Sequence, residues 1–181
     1  TTITGGVVFI RTGGPYAAAD FAEALTASGV PHELLTPAEV HARWPQFAIP
    51  EGVETVYTPD SGIAHASRTV ATLQLHARVS GADIRDRTRV EAVEPDAGGV
   101  IVRTSRGEVR ARKVVIAADA WTNELLAPLG AEIRLIVMQE QVSYFKPADP
   151  APYDPERFPV WTWEDDHCFY GFPSYGEPTI K

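Results

Sequence analysis

Residues 89–121 read RVEAVEPDAGGVIVRTSRGEVRARKVVIAADAW, and the reading of this stretch decides the fold. Three short runs, Arg89–Val93, Gly99–Thr104 and Glu108–Arg110, set β-branched side chains among charged ones. The pairs Gly98-Gly99 and Arg106-Gly107 separate them, supplying the residues that tight hairpins prefer. The pattern predicts an antiparallel meander. Val114–Ala117 follows as a continuous apolar run, a predicted return strand, and the chain then enters a short helix through Leu125. On the N-terminal side, Ser67–Ser80 puts Val70, Leu73 and Ala77 on one face, with Gly81 at its exit. That spacing predicts a helix. Helix, meander and return strand form one module in the centre of the chain.

Further outward, Val7–Ile10 predicts a strand closed by Thr12-Gly13-Gly14. Tyr16–Ser28 carries Phe21 and Leu25 one turn apart and is followed by Gly29, the mark of a short amphipathic helix. His32–Leu35 is expected to be a strand returning beside the first. In Thr36-Pro37-Ala38-Glu39 the threonine can cap, the proline suits the first helical position and the glutamate can close a capping box. That helix is expected to end near Trp44-Pro45. Val53–Tyr57 predicts a strand halted by Pro59-Asp60-Ser61-Gly62. Beyond the central module, Ile133–Phe145 predicts a long strand, Pro147–Pro159 a surface loop, and Trp161–Trp163 and His167–Phe172 two more strands. The fold class is α+β, with helices against mixed, largely antiparallel sheet.

Composition narrows the function classes. The 181 residues include 24 acidic and 16 basic side chains, a formal net charge of −8. An acidic surface repels phosphate, so nucleic acid and anionic membrane are expected to be poor partners. Cys168 is the only cysteine, which excludes an intramolecular disulfide framework and a cysteine-based zinc cluster. No apolar run approaches the roughly 20 residues of a membrane helix, and Thr1–Gly6 is not a signal peptide. A cytoplasmic location is expected. The histidines show no metal-ligand spacing, and no metal site is expected. His167 and Cys168 are neighbours, so in a strand they face opposite ways. One exposed imidazole and one small core residue are expected there.

Five motifs stand in order along the chain: Arg43-Trp44-Pro45, Pro59-Asp60-Ser61-Gly62, Thr88-Arg89-Val90-Glu91, Val114-Val115-Ile116-Ala117 leading into Ala120-Trp121, and Tyr170-Gly171-Phe172-Pro173-Ser174. Together they resemble the monomeric sarcosine oxidase and N-methyl amino acid oxidase branch of the D-amino acid oxidase superfamily. The resemblance covers essentially the whole chain. It implies that residues 1–64 and 135–181 build a substrate-binding domain, and that residues 65–134 belong to an FAD-binding domain. In that family a glycine loop at a helix N-terminus holds the flavin pyrophosphate. This chain contains no G-x-G-x-x-G, since Gly5-Gly6 and Gly13-Gly14 lack the spacing. The expectation is therefore an internal piece of a longer flavoprotein, inactive alone, lacking segments on both sides and not holding FAD by itself.

The resemblance also assigns residues. Lys181 falls where the family keeps a lysine beside the flavin ring, a fixed cation that stabilises charge developing on oxygen. Tyr170 and Thr162 match substrate-pocket positions. If Trp161 and Trp163 face the same pocket, their indoles reshape it and argue against sarcosine itself as substrate. Val90 matches the strand whose main chain holds the adenine, and Ala117, Ala118 and Trp121 match the turn that passes the cofactor. Asp119 stands where the family usually has glycine. A carboxylate is unfavourable near a pyrophosphate, and the expectation is that it caps the following helix. The implied partners are a small amine or amino acid and oxygen. Two rivals stay open: a flavin-dependent amine dehydrogenase, and a stand-alone α+β module that binds a small ligand.

Overall fold

The computed structural model describes residues 1–181, which divide into two units: Thr1–Ala71 with Val142–Lys181, and Thr72–Gln141. In chain order the first unit begins β1 (Thr2–Ile3), β2 (Gly6–Arg11), α1 (Ala18–Ala27), β3 (Glu33–Leu35), α2 (Pro37–Arg43), β4 (Val53–Thr58) and β5 (Gly62–Ile63). Helix α3 (Ala66–Val79) carries the chain into the second unit. There β6 (Val90–Asp96), β7 (Gly99–Thr104), β8 (Gly107–Ala111) and α4 (Thr122–Leu126) follow. The chain returns to the first unit for β9 (Val160–Glu164) and β10 (Phe169–Gly171). The class is α+β. No helix is long and apolar enough to cross a membrane.

The first unit is organised by a five-stranded sheet in the order β10-β9-β2-β4-β3. β2 lies at its centre, antiparallel to β4 and parallel to β9. Because strand side chains alternate, β2 feeds two cores. Val7 and Phe9 join Leu35, Val40 and Val53 on one face, with Trp44, Phe47, Ile49, Tyr57, Trp161 and Trp163 packed around them. Ile10 joins Val56 and Ala18 on the other, beneath Phe21 and Leu25 of α1. The predicted return of residues 32–35 beside the first strand is corrected. β3 pairs with β4, leaving β2 free to take β9 on its other side.

Helix α2 starts as its sequence requires. The Thr36 N–H donates to Glu39 Oε2 at 2.7 Å, and the Glu39 N–H donates to Thr36 Oγ1 at 3.3 Å, closing a capping box with proline at the helix start. At its far end Arg43 grips Glu33 of β3 with two hydrogen bonds, at 3.2 and 2.5 Å.

The second unit is the predicted meander, β6-β7-β8, with turns centred on Ala97-Gly98 and Ser105-Arg106. Gly99 is needed because a Cβ there would lie 2.2 Å from the Ala111 carbonyl oxygen. Two predicted strands are absent. Val114–Ala117 joins no ladder, and Val115 is 91% exposed. Ile133–Phe145 is likewise unpaired, apart from a single bridge between Phe145 and Ile180. An apolar β-branched run becomes a strand only when another strand satisfies its backbone, and here no neighbour stands beside either segment.

Thr36→Ala is expected to cost about 1 kcal/mol, read from urea denaturation at neutral pH. The Thr36 N–H, then the Thr36 hydroxyl, hold the Glu39 carboxyl below the usual carboxylate range. A depressed folded-state pKa gives stability that is present above the unfolded value and lost as pH falls through the folded one. The penalty of Thr36→Ala should therefore shrink on acidification through that window. A penalty independent of pH would mean that the bond from the Thr36 hydroxyl to the Glu39 carboxylate adds nothing, since the backbone N–H bond survives the substitution.

Candidate active site and cofactor contacts

The antiparallel pairing of β9 with β10 sets Tyr170 directly opposite Thr162, and Gly171 opposite Trp161. Alternation then places Thr162 and Tyr170 together on one face. Trp161 and Trp163 lie on the other, in the aromatic core with Phe9 and Phe47. The condition under which the indoles would reshape the Thr162–Tyr170 pocket is thus not met. Their rings are core, and the argument they offered against sarcosine disappears.

Lys181 reaches this hairpin through its main chain. The Phe172 N–H donates to the Lys181 oxygen at 3.0 Å, and the Lys181 N–H donates to the Phe172 oxygen at 3.3 Å. The side chain then crosses to Tyr170. Lys181 Nζ donates to Tyr170 Oη at 3.2 Å and stands 4.2 Å from the Tyr170 ring centre. The structure therefore brings together Lys181, Tyr170 and the strand position of Thr162. A hollow of about 390 Å³ opens beside the lysine, lined by Tyr144, Pro173, Tyr175, Glu177, Thr179 and Lys181. Tyr144, Tyr175, Glu177 and Thr179 were not singled out from sequence, and nothing in their spacing marks them.

Gly171 is the hinge of this arrangement. A Cβ at that position would lie 2.3 Å from the Lys181 carbonyl oxygen and 2.4 Å from two atoms of the Trp161 indole. Only a residue without a side chain lets the last strand, the lysine backbone and the indole meet. At the other end of β9, Asp165 pins the loop. Its carboxylate accepts from the Asp166 N–H at 2.9 Å and from Arg11 at 3.2 Å. Those two contacts, the backbone one first, hold the carboxyl below its usual range. Cys168 lies in this loop and is exposed, with Sγ 3.6 Å from Glu164 Oε1, so its predicted place in the core is corrected. The strand begins at Phe169, later than His167, because the Asp165–His167 bend occupies the intervening residues.

In the second unit, Val90, Ala118 and Trp121 line a hollow of about 470 Å³ together with Arg89, Glu124 and Leu125. Ala117 is not among the lining residues. Arg89 and Glu124 approach to 3.9 Å. Trp121, Glu124 and Leu125 share one helical face through their i, i+3, i+4 spacing, a signal present in the sequence. β6 is an edge strand. The Arg89 oxygen accepts from the Ser105 N–H at 2.9 Å, so the ladder's alternation turns the main chain of Val90 towards the open edge. The open edge of β6 thus lies beside a hollow whose lining is apolar at Ala118 and Leu125, aromatic at Trp121 and charged at Arg89 and Glu124.

Asp119 occupies a position whose backbone suits glycine. Its φ is 48°, in the left-handed region that favours glycine and tolerates aspartate. The predicted helix cap is corrected, since the Asp119 side chain makes no capping hydrogen bond and its main-chain oxygen instead accepts from Thr122 Oγ1 at 2.8 Å. Backbone conformation, and not capping, is what the position demands.

Residues 2–180 match the family model described as DAO, FAD dependent oxidoreductase. The chain belongs to this family of FAD-dependent oxidoreductases. Among its relatives, the monomeric sarcosine oxidase of Bacillus sp. (strain NS-129) is 29% identical over 182 residues, covering 99% of this chain and 47% of that protein. N-methyl-L-tryptophan oxidase of Yersinia pestis (strain Pestoides F) is 31% identical over 150 residues, covering 82% of this chain and 39% of that protein. The open form of NikD, an unusual amino acid oxidase essential for nikkomycin biosynthesis, superposes with a TM-score of 0.72 at 26% identity, over 98% of this chain and 47% of that one. The chain spans about half the length of the relatives it matches.

Replacing Gly171 with alanine is expected to lower stability by roughly 1–3 kcal/mol, the usual cost of overpacking. Urea denaturation followed by tryptophan fluorescence reads it. An unchanged midpoint would mean that the lysine backbone moves aside freely and that Gly171 fixes nothing.

Proposed function

We propose that these residues work within a flavoprotein that oxidises a secondary or tertiary amine, such as sarcosine or another N-methyl amino acid, with oxygen as acceptor. The observation that carries this reading is the convergence of Lys181, Tyr170 and Thr162 at the β9–β10 hairpin in a chain of the FAD-dependent oxidoreductase family. A secondary amine loses a hydride from the carbon beside nitrogen and a proton from nitrogen, giving an imine; a tertiary amine loses the hydride alone, giving an iminium ion; water hydrolyses either product. Oxygen gains two electrons and two protons and becomes hydrogen peroxide. FAD, when bound, supplies the redox capacity between these halves.

The chain's own residues supply position and charge. Tyr170 and Thr162 form a wall with two hydroxyls, suited to orienting a small amine and excluding water. Lys181 holds a compact positive charge where negative charge develops on oxygen. Val90 offers main-chain groups to the adenine, with Ala118 and Trp121 packing beside it and Ala117 shaping the approach to the turn. Domain roles follow. Residues 1–64 and 135–181 serve the substrate, and residues 65–134 serve FAD. The pyrophosphate contacts come from sequence outside these 181 residues, because no phosphate-binding glycine loop lies within them.

Two measurements test the proposal. The absorbance spectrum of the 181-residue chain mixed with FAD and desalted should show no flavin bands. A yellow protein would mean that the chain holds the cofactor without a dinucleotide loop. In the intact flavoprotein, anaerobic addition of N-methyl amino acids should bleach the flavin and oxygen should restore it. Lys181→Met should slow the oxygen step roughly hundredfold, the scale of losing one preorganised electrostatic contact. Unaltered reoxidation by oxygen would remove Lys181 from the oxygen step, and reoxidation only by an artificial electron carrier would favour the dehydrogenase reading.

A further inference from the structure

Around Lys181 the structure holds a second layer that the proposed chemistry does not require. Lys181 takes part in none of the chain's ion pairs. Its ammonium instead lies over two aromatic rings, 4.2 Å from the centre of Tyr170 and 4.9 Å from that of Phe172. The two rings meet edge to face at 5.8 Å and 77°. Phe172 is held from its other side by Tyr175, with centroids 6.2 Å apart, and Tyr175 meets His65 at 5.4 Å. His65 is itself anchored, its Nε2 lying 3.0 Å from Thr2 Oγ1. The row His65, Tyr175, Phe172, Tyr170 thus ends at the lysine.

We infer that Phe172 is a positioning residue for Lys181: with Tyr170 it forms an aromatic cradle that fixes the ammonium at one place. The inference rests on the proposed oxidase role for what the cradle achieves, though its geometry stands without that role. A lysine stem is flexible, and in water it samples many rotamers. A ring face attracts the cation through its quadrupole, and two faces with one hydroxyl select a single placement. Extended backbone puts residues 170 and 172 on the same face, which is how the two rings reach one ammonium. The reciprocal main-chain hydrogen bonds between Phe172 and Lys181 set the root of the lysine beside its ring. Glu177 lines the adjoining hollow, yet the lysine's contacts are to the rings and not to this carboxylate.

The test places a label on the lysine itself. Reductive methylation with ¹³C-formaldehyde keeps the positive charge and gives each lysine of the intact flavoprotein an NMR signal. The signals of Lys181, Lys113 and Lys146 are assigned by their loss in the respective Lys→Arg variants. Ring currents should move the Lys181 signal upfield of the other two. Phe172→Leu, which keeps apolar bulk without a π face, should carry it back towards them and slow flavin reoxidation by oxygen roughly fivefold, the scale of one cation–π contact. Phe172→Trp should keep both the upfield signal and the rate, and it serves where the leucine variant fails to fold. A Lys181 signal coincident with Lys113 and Lys146 in the unsubstituted protein overturns the cradle, whatever the flavin does. An upfield signal beside reoxidation indifferent to Lys181→Met keeps the cradle and removes the proposed role of Lys181 in the oxygen step instead.

Discussion

The in-register parallel pairing of β2 with β9 is the constraint on which the rest depends. It sets Val7 beside Trp161, Val8 beside Thr162 and Phe9 beside Trp163, joining parts of the chain that lie far apart in sequence. β2 is also committed to β4, so it cannot slide without breaking both ladders. A slip of β9 by one residue would turn Thr162 into the aromatic core and bring the indoles out where Tyr170 stands. Register also settles which side chains share a face with Lys181. Burial drives the choice, because Phe9, Phe47 and Phe158 already form an aromatic layer that accepts two indoles and has no use for a threonine.

What could be read from sequence follows the range of the interaction. The capping box at Thr36, the helices α1, α2 and α3, and the meander depend on neighbours within a few residues, and each formed close to where its pattern stood. The meander turns shifted by one residue, a limit set by pairing between strands. The place of β3 beside β4, and the failure of Val114–Ala117 and Ile133–Phe145 to enter a sheet, depend on partners elsewhere in the chain. Apolar content said that these segments want burial but could not say against what. The same division holds in the site. Tyr170 and Lys181 were legible as a motif and a distance along the chain. The cradle residue Phe172 was quoted within that motif without a role, because a ring's neighbour in space has no signature in its own identity.

Asp119 shows how a departure from the pattern that the resemblance implies can be resolved by backbone geometry. A glycine in the pattern means either space for a close approach or a positive φ, and the two predict different tolerance. Here φ is 48°, and aspartate is among the few residues with side chains that adopt this region at modest cost. The turn can therefore keep its path with a carboxylate in place of hydrogen. Contrast Gly171, where φ plays no part and the obstacle is the Lys181 backbone and the Trp161 ring. One position restricts conformation and the other restricts volume. Two glycines of equal prominence in a motif thus protect different things.

On the proposed role of Lys181, the choice of aromatic rings as its partners follows from what such a cation would have to do. A carboxylate would hold the ammonium more firmly, but it would cancel the field that the ammonium projects. Removing both charges from water would cost further free energy. Ring faces attract a cation by their quadrupole and carry no net charge, so the lysine is held while its charge stays available. The hydroxyl of Tyr170 accepts one hydrogen bond from the ammonium and adds direction without neutralising it. The half-buried position of the lysine serves the same proposed end, since partial exclusion of water strengthens the field that the ammonium projects. Holding a charge in place while leaving it uncompensated is a demand that few side chains meet, and a pair of rings at adjacent same-face positions of an extended segment meets it with backbone geometry alone.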